Sequence, residues 1–288
     1  MLQEKLAQWG ERAWVNLLGV APLRTYTRLV RALADLPLPR ELRRPVLGRL
    51  AQNLGMDLGE AEHDVAEYQS LGELFVRRLK PGLRPVDEQA DAVVSPVDGC
   101  VSAAGRLDGD RLLQAKGIDY RLEDLLGDGE LAQRLTGGHF LTIYLRPKDY
   151  HRIHAPLRAS VVGTRYVPGR LFPVNPPATR NVKGLFVRNE RLALEAETDG
   201  RSWALVCVGA TAVGCITTVF PHQRPGHQQL HPPLHLERGD ELAAFHLGST
   251  VILIFGEGCV ELAPLAPRQE LRMGQAVARW LPRPRVWS

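Results

Sequence analysis

The sequence predicts an α+β protein, with N-terminal amphipathic helices leading into a β-rich core. Apolar residues near the start recur at helical spacing, whereas beyond Pro85 they gather in short runs punctuated by Gly, Pro and Asp. With 288 residues, 44% of them hydrophobic and 24% charged, the chain can bury a substantial core and is not disordered.

At the start, Leu2, Leu6, Trp9, Ala13 and Leu17 share one helical face, with Glu4, Lys5, Gln8, Arg12 and Asn16 elsewhere. Glu4, Lys5, Glu11 and Arg12 interrupt any signal-peptide core. Pro37 and Pro39 break the next segment, and Ser70-Leu71-Gly72-Glu73 is a capping box that predicts a helix through Leu79, stopped by Pro81-Gly82. The apolar runs 92–95, 140–145, 160–167, 192–195, 203–208, 214–219 and 251–255 read as strands, and 121–126 as a helix. The uncharged stretch 202–221 is long enough to span a bilayer, but its glycines and β-branched residues predict two buried strands instead.

The net charge of +4 excludes a dedicated nucleic-acid binder, and four scattered cysteines without a CxxC pair exclude a disulfide scaffold or zinc ribbon. The basic excess is concentrated in residues 1–50, where nine Lys/Arg face four acids. A basic amphipathic end with Trp9 and Trp14 suits an anionic bilayer surface, though a core-facing or partner-facing helix has the same pattern.

Three places can carry chemistry. His151 and His154, in Tyr150-His151-Arg152-Ile153-His154, follow a loop signal; such a pair can ligate a metal, act as acid or base, or simply decorate a loop. His222, His227, His231 and His235 have near-helical spacing, but Pro221, Pro225, Pro232 and Pro233 forbid a helix, so this stretch is expected to be a solvated loop. Leu247-Gly248-Ser249-Thr250 sets a serine after a glycine at the mouth of a strand, leaving the Gly248 carbonyl sterically open to the hydroxyl. No GxSxG elbow accompanies it.

These segments, with Phe75-Val76-Arg77-Arg78, Ser95-Pro96-Val97-Asp98-Gly99, Leu113-Gln114-Ala115-Lys116-Gly117, Leu171-Phe172-Pro173-Val174-Asn175, 185–191 and Val208-Gly209-Ala210, resemble the phosphatidylserine decarboxylase family in order along 65–262. The resemblance implies a pyruvoyl-dependent enzyme that cuts itself between Gly248 and Ser249. Ser249 Oγ attacks the Gly248 carbonyl to give an ester. β-Elimination then releases the carboxylate, and hydrolysis of the dehydroalanine leaves a covalent pyruvoyl group, formally pyruvate, at residue 249. The products are a β chain 1–248 and an α chain 249–288. The ketone forms a Schiff base with phosphatidylserine, and loss of CO2 yields phosphatidylethanolamine.

By the same resemblance His154 is the base for the cut, Asp98 its orienting acid and Ser249 the nucleophile, while His151 supports decarboxylation as a proton donor. Also implied are a homodimer of αβ units and peripheral attachment to the cytoplasmic face of the cell membrane. Residues 1–85 are expected to be a helical, membrane-associating region and 86–288 the β-rich catalytic domain. Two competing readings are a serine-type hydrolase built on the same three residues and a non-catalytic membrane-binding module.

Overall fold

The computed structural model describes residues 23–115, 118–211, 216–221, 225–246 and 249–283. The apolar face of 2–17, Cys215, His222, Gly214, the Lys116-Gly117 end of one motif and Gly248 lie outside the described residues.

Three α-helices lead among the described residues: α1 (Leu23–Ala34), α2 (Arg40–Leu54) and α3 (Leu71–Phe75). Among the described residues no helix is long and apolar enough to cross a membrane. The capping box forms, with Ser70 Oγ accepting from Glu73 N–H at 3.1 Å and the Glu73 carboxylate accepting from Gln69 N–H at 2.6 Å. The helix ends at Phe75 rather than Leu79, because the next residues satisfy their main chain elsewhere. Val76 carbonyl accepts from Arg152, Arg78 carbonyl from Glu62 N–H, and Leu79 bridges to Ala61. These partners lie far enough away in sequence that helix punctuation does not reveal them.

Sixteen strands follow among the described residues: β1 (Ala92–Val94), β2 (Gly99–Arg106), β3 (Arg111–Ala115), β4 (Ile118–Arg121), β5 (His139–Leu145), β6 (Arg152–His154), β7 (Ala159–Val167), β8 (Arg191–Thr198), β9 (Arg201–Val208), β10 (Ile216–Thr218), β11 (Gly226–Leu236), β12 (Glu241–Phe245), β13 (Ser249–Phe255), β14 (Val260–Leu262), β15 (Glu270–Leu271) and β16 (Ala276–Trp280). The main sheet has eight strands in the order β11-β7-β8-β9-β13-β5-β2-β15, antiparallel throughout, so the fold is α+β and β-rich. A second sheet, β10-β12-β6, carries His154, with His151 just ahead of β6. Every residue of β13 is buried, which explains why Val251–Phe255 reads as one apolar run without alternation. β9 lies beside it, so the start of the uncharged stretch is an inner strand.

The histidine-rich stretch corrects the expectation of a loop. From Gly226 to Leu236 it is edge strand β11, paired with β7 and irregular between Gln229 and Leu234. Pro232 and Pro233 fall within that irregularity, and an edge strand tolerates proline because it need not donate on both sides.

Apolar burial divides in two. The large core surrounds the main sheet and takes in Leu122, Leu125, Leu131 and Leu135 of two short helices. A smaller cluster of Leu47, Ala51, Met56, Tyr68, Leu74 and Phe75 binds the helical region together. By contrast, Tyr26, Leu29, Leu33 and Leu36 are 53–64% exposed along one side of α1 and its exit.

Candidate active site

Strand register brings the chemistry to one end of the main sheet. Ser249, the first residue of β13, pairs with Leu145, the last of β5. On the other side of β5, Cys100 pairs with Tyr144, so Asp98 just precedes the start of β2. Ser249 and Asp98 thus flank the end of β5, about two strand spacings or roughly 10 Å apart at the backbone. Gly99 makes this possible: an added Cβ would lie 2.6 Å from the Tyr144 carbonyl.

The loop leaving β5 runs through Asp149 and His151 into β6, which ends at His154. Phe245 N–H, at the end of β12, donates to the His151 carbonyl at 3.0 Å. β12 of the second sheet ends at Phe245, and Ser249, four residues on, opens β13 of the main one. His154 N–H donates to the Pro96 carbonyl at 2.8 Å, bringing the Asp98 turn against β6.

Both imidazoles have a defined tautomer. His151 Nδ1 lies 2.8 Å from the Asp149 carbonyl, which only accepts, so Nδ1 carries the proton and Nε2 a lone pair. The ring is fully buried, and Nε2 has no partner among the described residues. Burial pushes its pKa down to about 4. His154 Nδ1 likewise donates to the Gly239 carbonyl at 2.8 Å, leaving Nε2 to accept from Tyr150 Oη at 3.0 Å. Burial lowers the His154 pKa, against the opposing pull of that carbonyl. Burial also raises the Tyr150 phenol to about 12, so it stays protonated and donates.

Ser249 Oγ is fully buried without a hydrogen-bond partner among the described residues. A buried hydroxyl left unpaired is costly, and here it belongs to the serine that the sequence singles out. It is an orphaned oxygen whose departure with the preceding carboxylate would sacrifice no existing hydrogen bond, so the site fits a pyruvoyl group at this position, its ketone oxygen coming from water.

Asp98 stands apart from His154 in its bonding. Its carboxylate accepts from Arg84 at 2.6–2.9 Å and from Met273 N–H at 2.8 Å. Arg84 also grips Glu60, at 2.7 Å, joining the helical region to the site. The Gly239 carbonyl, not Asp98, holds the His154 tautomer, and Asp98 acts on that ring only through its charge. Sequence reasoning misses Arg84, Gly239 and the hydroxyl of Tyr150. Only Tyr150 left a signal, as the residue leading the histidine pair.

The family model described as phosphatidylserine decarboxylase matches residues 71–279. A phosphatidylserine decarboxylase proenzyme of Anaeromyxobacter sp. (strain K) is 44% identical over 275 residues, covering 92% of this chain and 97% of that protein. One from Halorhodospira halophila is 42% identical over 287 residues, covering 97% and 98%. One from Myxococcus xanthus is 41% identical over 251 residues, covering 85% and 90%. With its fold, its buried serine and these relatives taken together, the chain belongs to the phosphatidylserine decarboxylase family.

Proposed function

We propose that this protein cuts its own chain between Gly248 and Ser249 and then decarboxylates phosphatidylserine to phosphatidylethanolamine. The observation that carries the reading is Ser249 itself, buried at the start of β13 beside β5 and without a hydrogen-bond partner among the described residues. In the cut, His154 Nε2 takes the Ser249 proton. The Tyr150 hydroxyl, which donates to that nitrogen, has to swing off or hand its own proton on. The Arg84 clamp holds Asp98 as a fixed negative charge that favours the imidazolium formed.

When formed, the pyruvoyl group supplies a ketone that can condense with the substrate amine and withdraw the electrons left by CO2. His151 starts without a proton on Nε2, which refines the idea of a simple donor. Its lone pair suits it to take the proton that the substrate ammonium must lose. It can then return that proton to the carbon that loses CO2.

Intact mass of the purified protein tests the reading. Two chains of 248 and 40 residues are expected, the shorter with a carbonyl-reactive cap and no free amine; one uncut chain would instead favour a serine hydrolase. His151→Ala is expected to be cut normally while its decarboxylation falls by about 10²- to 10⁴-fold, as for loss of a general acid–base. Native decarboxylation in that variant would remove His151 from the reaction.

The exposed Tyr26, Leu29, Leu33 and Leu36, with Arg28, Arg31, Arg40 and Arg43 nearby in sequence, support docking of the helical region, residues 1–85, on an anionic bilayer. Peripheral attachment at the cytoplasmic face and a homodimer of αβ units complete the proposal. Leu29→Asp/Leu33→Asp is expected to weaken sedimentation with anionic vesicles by at least about a hundredfold, given ~1.5–3 kcal/mol per buried leucine. Unchanged sedimentation would place the membrane contact elsewhere.

A further inference from the structure

We infer that Arg77 is a positioning residue for His151: its buried guanidinium, without a carboxylate partner among the described residues, anchors the imidazole-bearing loop. The inference rests on the reading of His151 as the proton-handling group.

Arg77 is 3% exposed. Its Nη2 donates to the Lys148 carbonyl at 3.2 Å, Nη1 meets only Met56 Sδ at 3.9 Å, and Nε has no partner among the described residues. Asp98 and Glu60, the acids whose charges reach it, are both gripped by Arg84 instead. Burying a cation without a direct counter-ion costs several kcal/mol, and a methionine would fill similar volume without that cost. Anchoring the small core alone therefore does not account for a guanidinium here.

The surroundings point to the loop. Two residues before Arg77, the Phe75 ring packs edge-on against His151 with centroids 5.1 Å apart. Residues 75–77 thus touch the loop twice, at the imidazole and at the Lys148 carbonyl. Lys148 immediately precedes Asp149, whose carbonyl fixes the His151 tautomer. The Asp149 carboxylate turns away to Arg146, which donates to it through its main-chain N–H, Nε and Nη2 at 2.7–3.0 Å. Burial is the main reason the ring resists a proton, and the Arg77 guanidinium adds a smaller push against a second positive charge. Guanidinium stays ionised even when burial lowers its pKa, so this influence does not titrate away near neutrality.

The test is NMR of the His151 ring nitrogens in the cut protein, assigned by difference against His151→Ala, beside the pH profile of decarboxylation. In Arg77→Met the His151 midpoint should rise from its native value, since a like charge is removed. The acid limb of kcat should follow it, with KM within about twofold because Arg77 does not touch substrate. Arg77→Lys, which restores the charge, should bring the midpoint back toward the native value. Should Arg77→Met fail to fold, Arg77→Gln, which keeps a donor for the Lys148 carbonyl, carries the same comparison. A native His151 midpoint near 6.5, or one midpoint shared by the native protein and the uncharged variants, overturns the inference. Failure of the underlying reading looks different, since His151→Ala would then decarboxylate normally whatever Arg77 does.

Discussion

Ser249→Ala is expected to remain a single chain of 288 residues and to lose decarboxylation by at least about 10⁴-fold. The ester can form only through Oγ, and a methyl group leaves no route to an α-keto cap. The substitution should leave the fold intact, because Oγ makes no hydrogen bond among the described residues. Removing a buried unpaired hydroxyl relieves a desolvation cost instead of breaking a bond. Electrophoresis, intact mass and labelled CO2 release decide the matter together. A chain that folds, by an unchanged thermal transition, yet still appears as two fragments would sink the self-cleavage account. The His151→Ala variant is the matching control, since it should be cut but inactive.

His154→Ala should slow the cut by about 10²- to 10⁴-fold, the range for loss of a general base. The pH dependence has a definite sign. The base form of His154 is the neutral one, and burial holds its folded pKa below the ordinary 6.5. Processing should therefore be flat above pH 6.5 and decline only as pH falls through that lowered value. Both buried histidines resist protonation in the folded protein but accept it when unfolded. Their linkage contribution to stability is thus present above pH 6.5 and lost as pH falls through their folded values. Time courses of cutting in freshly translated chain across pH 5–8 would measure the first effect. A rate that rises on acidification would mean that the imidazolium, and not the neutral ring, drives the reaction.

Much of this protein is legible along the chain. The capping box at Ser70–Glu73 forms as local chemistry dictates, because its donors and acceptors lie within four residues. The apolar run at Val251–Phe255 announces a buried strand, and the motifs around His151, His154 and Ser249 mark the candidate site by their residue types. Where the partner is distant, local pattern fails. The predicted helix stops early because Arg152 and Glu62 claim its next carbonyls. The proline- and histidine-rich stretch becomes an edge strand because β7 offers it a ladder.

The same division runs through the active site. The sequence singles out the serine and the two histidines by their motifs, and the family resemblance adds Asp98 and the roles proposed for all four. Only the tertiary structure decided what each group is bonded to: Asp98 to Arg84, fourteen residues away, and His154 to the Gly239 carbonyl, eighty-five away. It also decided that His151 begins without a proton on Nε2. Protonation and orientation depend on burial and on the nearest dipole. Those are properties of three-dimensional neighbours that a one-dimensional pattern does not specify.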